Sequence, residues 1–356
     1  MLEKLTLERF TTFDNIDFSF ASGINVIIGE NGTGKSHLLK IAYAISSASH
    51  AASKSNPAPT KAQLQKDLAS KIIGVFRPDK LGRLVRSHRA RGAVGGRASS
   101  KVKLQFSNVA NNWAFTFSSV SKVEVQFDEA TSPKKFLDAE PIFIPTKEVL
   151  SMFPGFASLY RNRELAIDET YFDLCLALDG APLRGPRLEA IKQLLDPIEQ
   201  HLGGTVVRVG DSFYLDSGNG KTEMPLVAEG IRKIATIAYL LRNGALTQRG
   251  IVFWDEPESN LNPRLIRIVA AMLMSLAAQG VQVFIGTHSF FLMKELELLR
   301  RSAKNAVPCR YITLAFDEEG NPLYEQGESL KEVGRIVALD EELSQYDREI
   351  HAGRNG

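Results

Sequence analysis

INVIIGENGTGKSHLLK, at residues 24–40, is the stretch that decides the fold of this chain. It begins with the apolar run INVIIG, which has the length and composition of a buried β-strand. Residues 29–36 satisfy the pattern G-x-x-x-x-G-K-S, and the segment after them has apolar residues at helical spacing. Strand, glycine-rich loop and helix in this order predict a phosphate-binding loop, because backbone N–H groups and the helix amino terminus then face one anion.

Each residue type in this loop suits a nucleotide phosphate. The glycines allow backbone N–H groups to curl around phosphate oxygens. We expect Lys35 to reach the β- and γ-phosphates and the Ser36 hydroxyl to ligate Mg²⁺. A chance glycine-rich turn is the alternative, and the flanking strand and helix argue against it. The predicted nucleotide-binding residues of the loop are Gly29, Asn31, Gly32, Thr33, Gly34, Lys35, Ser36 and His37.

A second motif, IVFWDE, lies at residues 251–256. Four apolar residues run into Asp255 and Glu256, which places both carboxylates at the carboxyl end of a buried strand, where open α/β sheets bind ligands. Asp255 is therefore the expected second ligand of the Mg²⁺ held by Ser36. Glu256 is expected to accept a proton from an attacking water. The alternative is an acid pair that caps a helix after the strand.

The composition excludes other classes of protein. With 44% hydrophobic and 24% charged residues, the chain has the make-up of a globular protein. Its net charge of +2 limits any nucleic-acid contact to a local patch. Cys175 and Cys309 are the two cysteines, and their spacing suggests neither a disulfide framework nor a zinc site. We find no bilayer-length apolar run and no signal peptide, so we expect a cytoplasmic protein without membrane contact.

The remaining segments predict a mixed α/β fold. Three alternating segments, KVKLQF, NWAFTF and KVEVQF within residues 101–127, favour an antiparallel meander. Strand, helix and strand follow one another over residues 250–289, the pattern of parallel strands covered by helices. The stretch PLVAEGIRKIATIAYLLRNG at 225–244 has the spacing of a half-buried helix, with Gly230 near its start. Further predictions are a linker over 49–60, a helix over 61–76, a buried strand at 141–145, mainly helical structure over 147–202 and a hairpin after it.

The order of the motifs resembles the ATP-binding cassette (ABC) ATPases of the soluble RecF, SMC and OLD-like branch. The segments that carry the resemblance are GENGTGKS (Walker A), AEGIRK (signature), IVFWDEPE (Walker B), SNLNP (D-loop) and GTHSFFL (switch histidine). More than half of the chain separates Walker A from Walker B, which is typical of the ABC type. Within the branch, DEPESNLNP and GTHS look most like the compact AAA-family ATPases of bacterial anti-phage systems such as Septu, PARIS and OLD.

The resemblance implies an α/β P-loop NTPase of the ABC type, with a mixed core sheet, an antiparallel β meander and a helical signature subdomain. No sustained heptad is visible, so we expect no long coiled coil. It implies ATP and Mg²⁺ as cofactors and ATP hydrolysis as the reaction, with Glu256 and His288 as catalytic residues. His288 would contact the γ-phosphate and help to position the lytic water. Ala228, Glu229 and Gly230 would face the ATP of a second protomer.

The signature departs from the family pattern. Ala228 stands where the family signature has a serine, and Glu229 stands where it has a glycine. Closure of two protomers around ATP would therefore depend more on backbone N–H groups at the helix start and on Arg232 or Lys233. We expect Gly230 to keep the helix amino terminus open to a phosphate from another subunit. The glutamine usual after the strand at 141–145 is not identified, and Lys147 and Glu148 stand in its place.

Some contacts have a second interpretation. Asn260 and Asn262 would lie at a subunit contact, although asparagine is also common in turns. Adenine contacts from Arg9, Phe10 or Phe13 compete with core packing of the same residues.

The chain is predicted to form a single ABC-type ATPase domain over residues 1–356. Its parts are an N-terminal lobe with Walker A (1–50 and 101–146), a helical and basic Gly/Ser-rich insertion (51–100), a helical and signature region (147–240), a lobe with Walker B, D-loop and switch histidine (241–307) and a strand-bearing acidic tail (308–356).

Three functions are compatible with this reading. The first is an ATP-sandwich homodimer or higher homo-oligomer that controls a separate effector, a toxin or nuclease, in anti-phage defence. The second is a RecF-like protein whose dimer clamps DNA. The third, a slow nucleotide switch, is favoured by Ala228 and opposed by the intact set of Asp255, Glu256 and His288. The basic residues of 77–103 would contact nucleic acid or a partner protein, or form a solvated excursion.

Overall fold

A computed structural model describes residues 1–86, 98–127, 132–162, 165–246, 249–302, 307–317, 319–320, 322–334 and 336–354. In chain order the strands are β1 (Leu2–Phe10), β2 (Phe13–Ser19), β3 (Ile24–Gly29), β4 (Ser99–Phe106), β5 (Trp113–Ser118), β6 (Gln126–Phe127), β7 (Ile142–Ile144), β8 (Thr205–Val209), β9 (Ser212–Asp216), β10 (Lys221–Glu223), β11 (Ile251–Asp255), β12 (Gln282–Thr287), β13 (Cys309–Phe316) and β14 (Pro322–Gly327). The α-helices are α1 (Lys35–Lys54), α2 (Lys61–Phe76), α3 (Phe156–Arg161), α4 (Glu169–Leu178), α5 (Pro186–Glu189), α6 (Lys192–Leu202), α7 (Glu229–Arg242), α8 (Pro263–Ala278), α9 (Phe290–Ser302) and α10 (Val337–Arg354).

The core is a six-stranded mixed sheet in the order β14-β13-β3-β12-β11-β7. Its central strands are parallel, and only the pair of β13 and β14 is antiparallel. β11 and β12 are buried along their whole length, because helices cover both faces. Val26 and Trp254 face a core shared with α7 and α8, whereas Phe253 and Phe284 face a second core shared with α1. The sheet thus brings the carboxyl ends of β3, β11 and β12 together.

The second core is closed by a five-stranded antiparallel sheet in the order β2-β1-β4-β5-β6. The predicted meander is part of it, although its third segment forms a strand only at Gln126–Phe127. Rings of this sheet pack edge to face against its neighbours, as Phe10 does against Phe76 of α2, at 5.6 Å between centroids. The helix predicted over 61–76 has the predicted bounds.

A helical region lies between β7 and β11. It contains α3 to α7 and a small antiparallel sheet in the order β10-β9-β8, where the sequence predicts a hairpin. Apolar residues of α4, α6 and α7 join the first core, together with Phe213 of β9. The mixed sheet, the antiparallel sheet and this helical region confirm the predicted fold class.

Two segments differ from the sequence prediction in extent. α1 continues to Lys54, so the first residues of the predicted linker are helical. β13 lies inside the core sheet and pairs in parallel with β3, with Leu314 opposite Gly29. Residues 309–316 are therefore part of the sheet that carries the phosphate loop. The division into lobes remains a prediction.

The longest described helix, α1, has 20 residues. Among the residues that the structure describes, no helix combines the length and apolar character needed to cross a bilayer.

Candidate functional site

The phosphate loop connects β3 to α1 and has little room for side chains. Gly34 is the N-cap of α1 and adopts φ 105°, a left-handed conformation that favours glycine. A Cβ on Gly34 would lie 2.5 Å from Thr12 Oγ1. A Cβ on Gly29 would lie 2.5 Å from the Leu314 carbonyl oxygen. The β1–β2 turn and the end of β13 thus hold the loop from two sides, and the glycines permit this close approach.

Lys35, the first residue of α1, folds back over the loop. Its Nζ donates to the carbonyl oxygens of Gly29, at 2.7 Å, and Glu30, at 2.9 Å. Burial lowers the pKa of Lys35, while carboxylates that include Glu256 and Asp255 oppose that shift. A phosphate in the loop is well placed to replace the two carbonyls as the partner of this ammonium.

Asp255 ends β11 directly beside the phosphate loop. Burial raises the pKa of Asp255, and the nearby Ser36 hydroxyl opposes that rise. Asp255 Oδ1 is buried and has no hydrogen-bond partner among the described residues. A Cβ on Gly286 of β12 would lie 3.0 Å from this oxygen, so a glycine gives the carboxylate its space. The Ser36 hydroxyl and the Asp255 carboxylate, which has one unsatisfied buried oxygen, fit a magnesium ion that keeps several of its waters.

Glu256 follows the end of β11 and His288 follows the end of the neighbouring parallel strand β12, and the two side chains lie close together. Glu256 has φ 49°, and its N–H donates to the Gly286 carbonyl oxygen at 2.8 Å. This φ lies in the left-handed region, which is uncommon for residues other than glycine. Glu256 Oε1 lies 3.4 Å from His288 Nδ1, and both side chains remain accessible to solvent. The structure therefore brings together the two residues predicted to act on the lytic water.

Glu258 is a member of the site for which the sequence reasoning assigned no role. Its side chain is 5% exposed. Glu258 Oε1 accepts from Thr287 Oγ1 at 2.6 Å and from the backbone N–H groups of His288 and Ser289 at 3.1 and 3.2 Å. The second glutamate in the sequence DEPE is a signal for this position. Its partners lie about 30 residues further along the chain, so no local pattern connects them.

The signature helix α7 packs against the D-loop of its own chain. A Cβ on Gly230 would lie 2.8 Å from Leu261 Cδ2 and 3.3 Å from the Asn260 carbonyl oxygen. Asn260 Nδ2 donates to Glu229 Oε1 at 2.8 Å. Gly230 therefore allows α7 to pack closely on the D-loop inside the protomer, and its predicted contact with a phosphate of another subunit remains a prediction.

The two cations of the signature are also engaged within the chain. Lys233 is buried and its Nζ donates to the Ser259 carbonyl oxygen at 2.8 Å. Arg232 Nε lies 2.7 Å from Glu148 Oε1, while Arg232 Nη1 donates to the Val227 carbonyl oxygen at 2.6 Å. Both side chains thus have partners within the protomer, and a phosphate contact by Arg232 or Lys233 remains a prediction. At the position of the missing glutamine, Glu148 instead ties the segment after β7 to α7.

Two asparagines of the D-loop have structural partners. Asn262 is the N-cap of α8, and its side chain accepts from the Leu265 N–H at 3.0 Å. This confirms turn chemistry as the interpretation of Asn262. Asn260 has φ 61° and bonds to Glu229, as described above. A subunit contact by either asparagine remains a prediction.

The two phenylalanines considered for adenine binding belong to the core. Phe10 and Phe13 are 0% and 1% exposed, so core packing is the correct interpretation for both. Arg9 Nε is buried without a hydrogen-bond partner in the described residues, and a base contact by Arg9 remains a prediction. The centroids of the His37 and Phe76 rings are 5.6 Å apart, and burial lowers the pKa of His37. Because its ring is packed there, His37 would contact a phosphate through its backbone.

The basic segment predicted at 77–103 is only partly described. Residues 87–97, which carry three of its six arginines, lie outside the described residues. Of the others, Arg83 is 68% exposed and Lys101 lies 3.9 Å from Glu8 across β1 and β4. Arg86 donates to the Thr12 carbonyl oxygen in the β1–β2 turn.

Solved structures with the same fold are SMC head domains. The chain is similar to an SMC head bound to the C-winged helix domain of ScpA, with TM-score 0.58, 12% identity and coverage of 93% of this chain and 98% of that chain. It is also similar to an SMC head from Pyrococcus furiosus with an extended coiled coil, bound to the C-terminal domain of ScpA. That likeness has TM-score 0.53 and 10% identity and covers 98% of this chain and 99% of that chain. At these identities the likeness shows the fold alone.

The fold is that of SMC head domains, and the site has the residues of an ATPase. The family described as "AAA domain, putative AbiEii toxin, Type IV TA system" matches residues 91–294, more than half of the chain. The chain belongs to this family. The matched region contains Asp255, Glu256 and His288 and begins after the phosphate loop.

Sequence similarity to RecF is local. The chain is 45% identical over 42 residues to the DNA replication and repair protein RecF of Halalkalibacterium halodurans, and 42% identical over 45 residues to that of Oceanobacillus iheyensis. These matches span 11% and 12% of the relatives' length.

Proposed function

We propose that two copies of this ATPase enclose ATP between the phosphate loop of one and the start of α7 of the other, and that the cycle controls a separate effector. The observation that carries the proposal is the grouping of four side chains at one edge of the sheet. Ser36 lies beside Asp255, which keeps an unsatisfied buried oxygen, and Glu256 Oε1 lies 3.4 Å from His288 Nδ1. This grouping suits hydrolysis of a nucleoside triphosphate.

The chain's own residues divide the reaction between them. Backbone N–H groups of the phosphate loop and Lys35 bind the phosphates. Glu256 accepts a proton from water as the water oxygen attacks the γ-phosphorus and the bond to the β,γ-bridging oxygen breaks. His288 donates a hydrogen bond to the γ-phosphate and holds the water near Glu256. Ser36 and Asp255 would hold Mg²⁺, which neutralises charge on the β- and γ-phosphates.

An apolar surface precedes the signature helix. Leu226 is 75% exposed and lies two residues before Ala228, the N-cap of α7. An exposed leucine beside a helix amino terminus suits a contact with a second protomer whose ATP faces that helix. The D-loop packs directly on α7, so a change in either element at the subunit contact is transmitted to the other.

The effector is proposed from the family. Its description names a putative toxin of a toxin–antitoxin system, which supports a link between this ATPase and a toxic activity. The groups assigned to this chain account for phosphate chemistry, so we place the toxin or nuclease activity on a partner chain. A defence system against phage is the setting that we propose for the pair, in the cytoplasm.

Dimerisation and co-purification test the two halves of this proposal. In sedimentation velocity, wild-type protein with ATP and Mg²⁺ should shift from monomer towards dimer, and Leu226→Ser should weaken that shift. Leu298→Ser, at another exposed leucine on α9, is the matched control. Expression with the native neighbouring genes should co-purify an effector. A monomer under all nucleotide conditions would refute the sandwich, and recovery of replication or repair factors alone would refute effector control.

A RecF-like DNA clamp is the second candidate, favoured by the local RecF similarity. It predicts salt-sensitive binding of duplex DNA through the basic residues around 77–103. Arg83→Glu with Lys101→Glu should then weaken DNA binding by about tenfold and reduce its salt dependence. Lys192→Glu, an exposed lysine on α6, is the control. Equal DNA affinity of all variants would exclude this surface.

A further inference from the structure

Glu258 occupies a position between the two catalytic residues of the proposed reaction. It follows Glu256 by two residues, and its carboxylate reaches the end of β12, where Thr287 precedes His288. Its Oε1 accepts three hydrogen bonds, from a hydroxyl and two successive backbone N–H groups. A buried carboxylate with three donors fixes a backbone more tightly than one neutral hydrogen bond does.

These donors belong to the segment that orients His288. The backbone N–H groups of His288 and Ser289 both point at Glu258 Oε1, and the Ser289 N–H also contacts Thr287 Oγ1 at 3.0 Å. His288 Nδ1 lies 3.7 Å from the same carboxylate oxygen. The His288 side chain is half exposed, so its direction depends on this backbone.

The turn that carries Glu258 is itself held from α7. Lys233 Nζ donates to the carbonyl oxygen of Ser259, the next residue, and the Ser259 N–H donates to the Glu256 carbonyl oxygen at 3.1 Å. Residues 256–259 therefore form a short bonded path between His288 and the signature helix. Glu258 is the member of that path that reaches across to β12.

We propose that Glu258 is a positioning residue that acts through His288, holding the imidazole beside Glu256 in the geometry needed for attack by water. The inference rests on the proposed ATP hydrolysis at this site. It assigns no proton transfer and no contact with ATP to Glu258. Loss of the carboxylate should leave ATP affinity unchanged and lower turnover, because the phosphate loop is intact while His288 is free to turn away.

A double-mutant cycle tests this inference. Glu258→Gln should lower kcat by about 10- to 100-fold with the Kd for ATP within about twofold of wild type. In the His288→Ala background the same change should lower kcat by less than about twofold, because the residue through which it acts is gone. Glu297→Gln is the matched control, since Glu297 on α9 is also 5% exposed and makes no contact with the site. Its effect on kcat should be small in both backgrounds.

Two results of this cycle would contradict the inference. An equal loss from Glu258→Gln in both backgrounds, or an unchanged kcat in His288→Ala, would overturn the role of Glu258 through His288. If Glu258→Gln does not fold by circular dichroism, Thr287→Val enters the same cycle, because it removes one donor to Oε1 at equal volume. Hydrolysis in the wild type that does not depend on Lys35 would refute the proposed function itself, and with it this inference.

Discussion

At the residue scale, motif chemistry was readable from the sequence wherever the functional residues are neighbours in the chain. The glycines, Lys35 and Ser36 lie within one loop, so a pattern of eight residues was enough to find them. The role of Glu258 and the packing of Gly230 within the protomer could not be predicted, because their partners come from distant segments. The contacts of Glu258 with the end of β12 and of Gly230 with Leu261 exist only after folding.

Ala228 offers a direct test at this scale. It is the N-cap of α7, with φ −56° and ψ 140°, and an alanine side chain supplies no oxygen to the first turn. Ala228→Ser should raise the free energy of unfolding by about 0.5–2 kcal/mol, because a serine hydroxyl accepts from a free N–H of that turn. Urea denaturation measures this effect.

A second readout of Ala228→Ser concerns turnover. If α7 faces the ATP of another protomer, the added hydroxyl should also increase ATP turnover in the dimer. Ala228→Val, which lacks the oxygen, should do neither. A serine variant with the stability of wild type would contradict the capping geometry.

At the element scale, the positions of helices were predicted better than the elements on which they pack. Periodicity located α2 and α7, since each buries one apolar face. It did not show that α7 packs on the D-loop or that β6 is only two residues long. The burial of a residue and the edges of a sheet depend on neighbouring elements, which the hydrophobic periodicity of one segment does not identify.

α9 carries an acid whose effect on stability depends on pH. Hydrogen bonds from Arg300 and Arg301 to Glu297 hold the pKa of this carboxyl at about 2, below the 4.5 of an unfolded chain. The ionised form therefore stabilises the fold above pH 4.5, and this contribution is lost as the pH falls towards about 2.

Glu297→Gln measures that contribution. Because both arginines are partly exposed and screened, we expect a cost of about 1–2 kcal/mol at neutral pH. The difference from wild type should shrink as the pH is lowered through 4.5 in urea titrations. A difference that is constant over this range would contradict the ion-pair assignment.

At the scale of the whole molecule, the fold class and the joining of Walker A and Walker B at one sheet edge followed from strand order and the resemblance. The position of β13 in the sheet could not be predicted, because the sequence of an apolar strand after α9 does not indicate which strand it pairs with. In the structure β13 is buried beside β3, with Tyr311 and Ile312 fully buried. Residues 309–316 are thus part of the sheet that carries the phosphate loop.

Two truncations separate the parts of this region. Removal of residues 309–356 should prevent cooperative folding, because β3 would lose a paired neighbour and both cores would lose buried side chains. Removal of residues 341–356 should leave the unfolding transition nearly unchanged, since most described side chains there are exposed. Circular dichroism during thermal unfolding distinguishes the two. Cooperative unfolding of the shorter chain would show that β13 is dispensable.

The most direct test of the account compares ATP affinity and steady-state hydrolysis in wild type, Lys35→Ala and Glu256→Gln. We predict that Lys35→Ala weakens ATP binding by about 10- to 100-fold, since a charge-assisted contact is lost. Glu256→Gln should bind ATP with wild-type affinity and lose at least about 100-fold in kcat, since only the proton acceptor is removed. Wild-type turnover in Glu256→Gln would contradict the central claim that Glu256, placed beside His288 by the ends of β11 and β12, activates the attacking water.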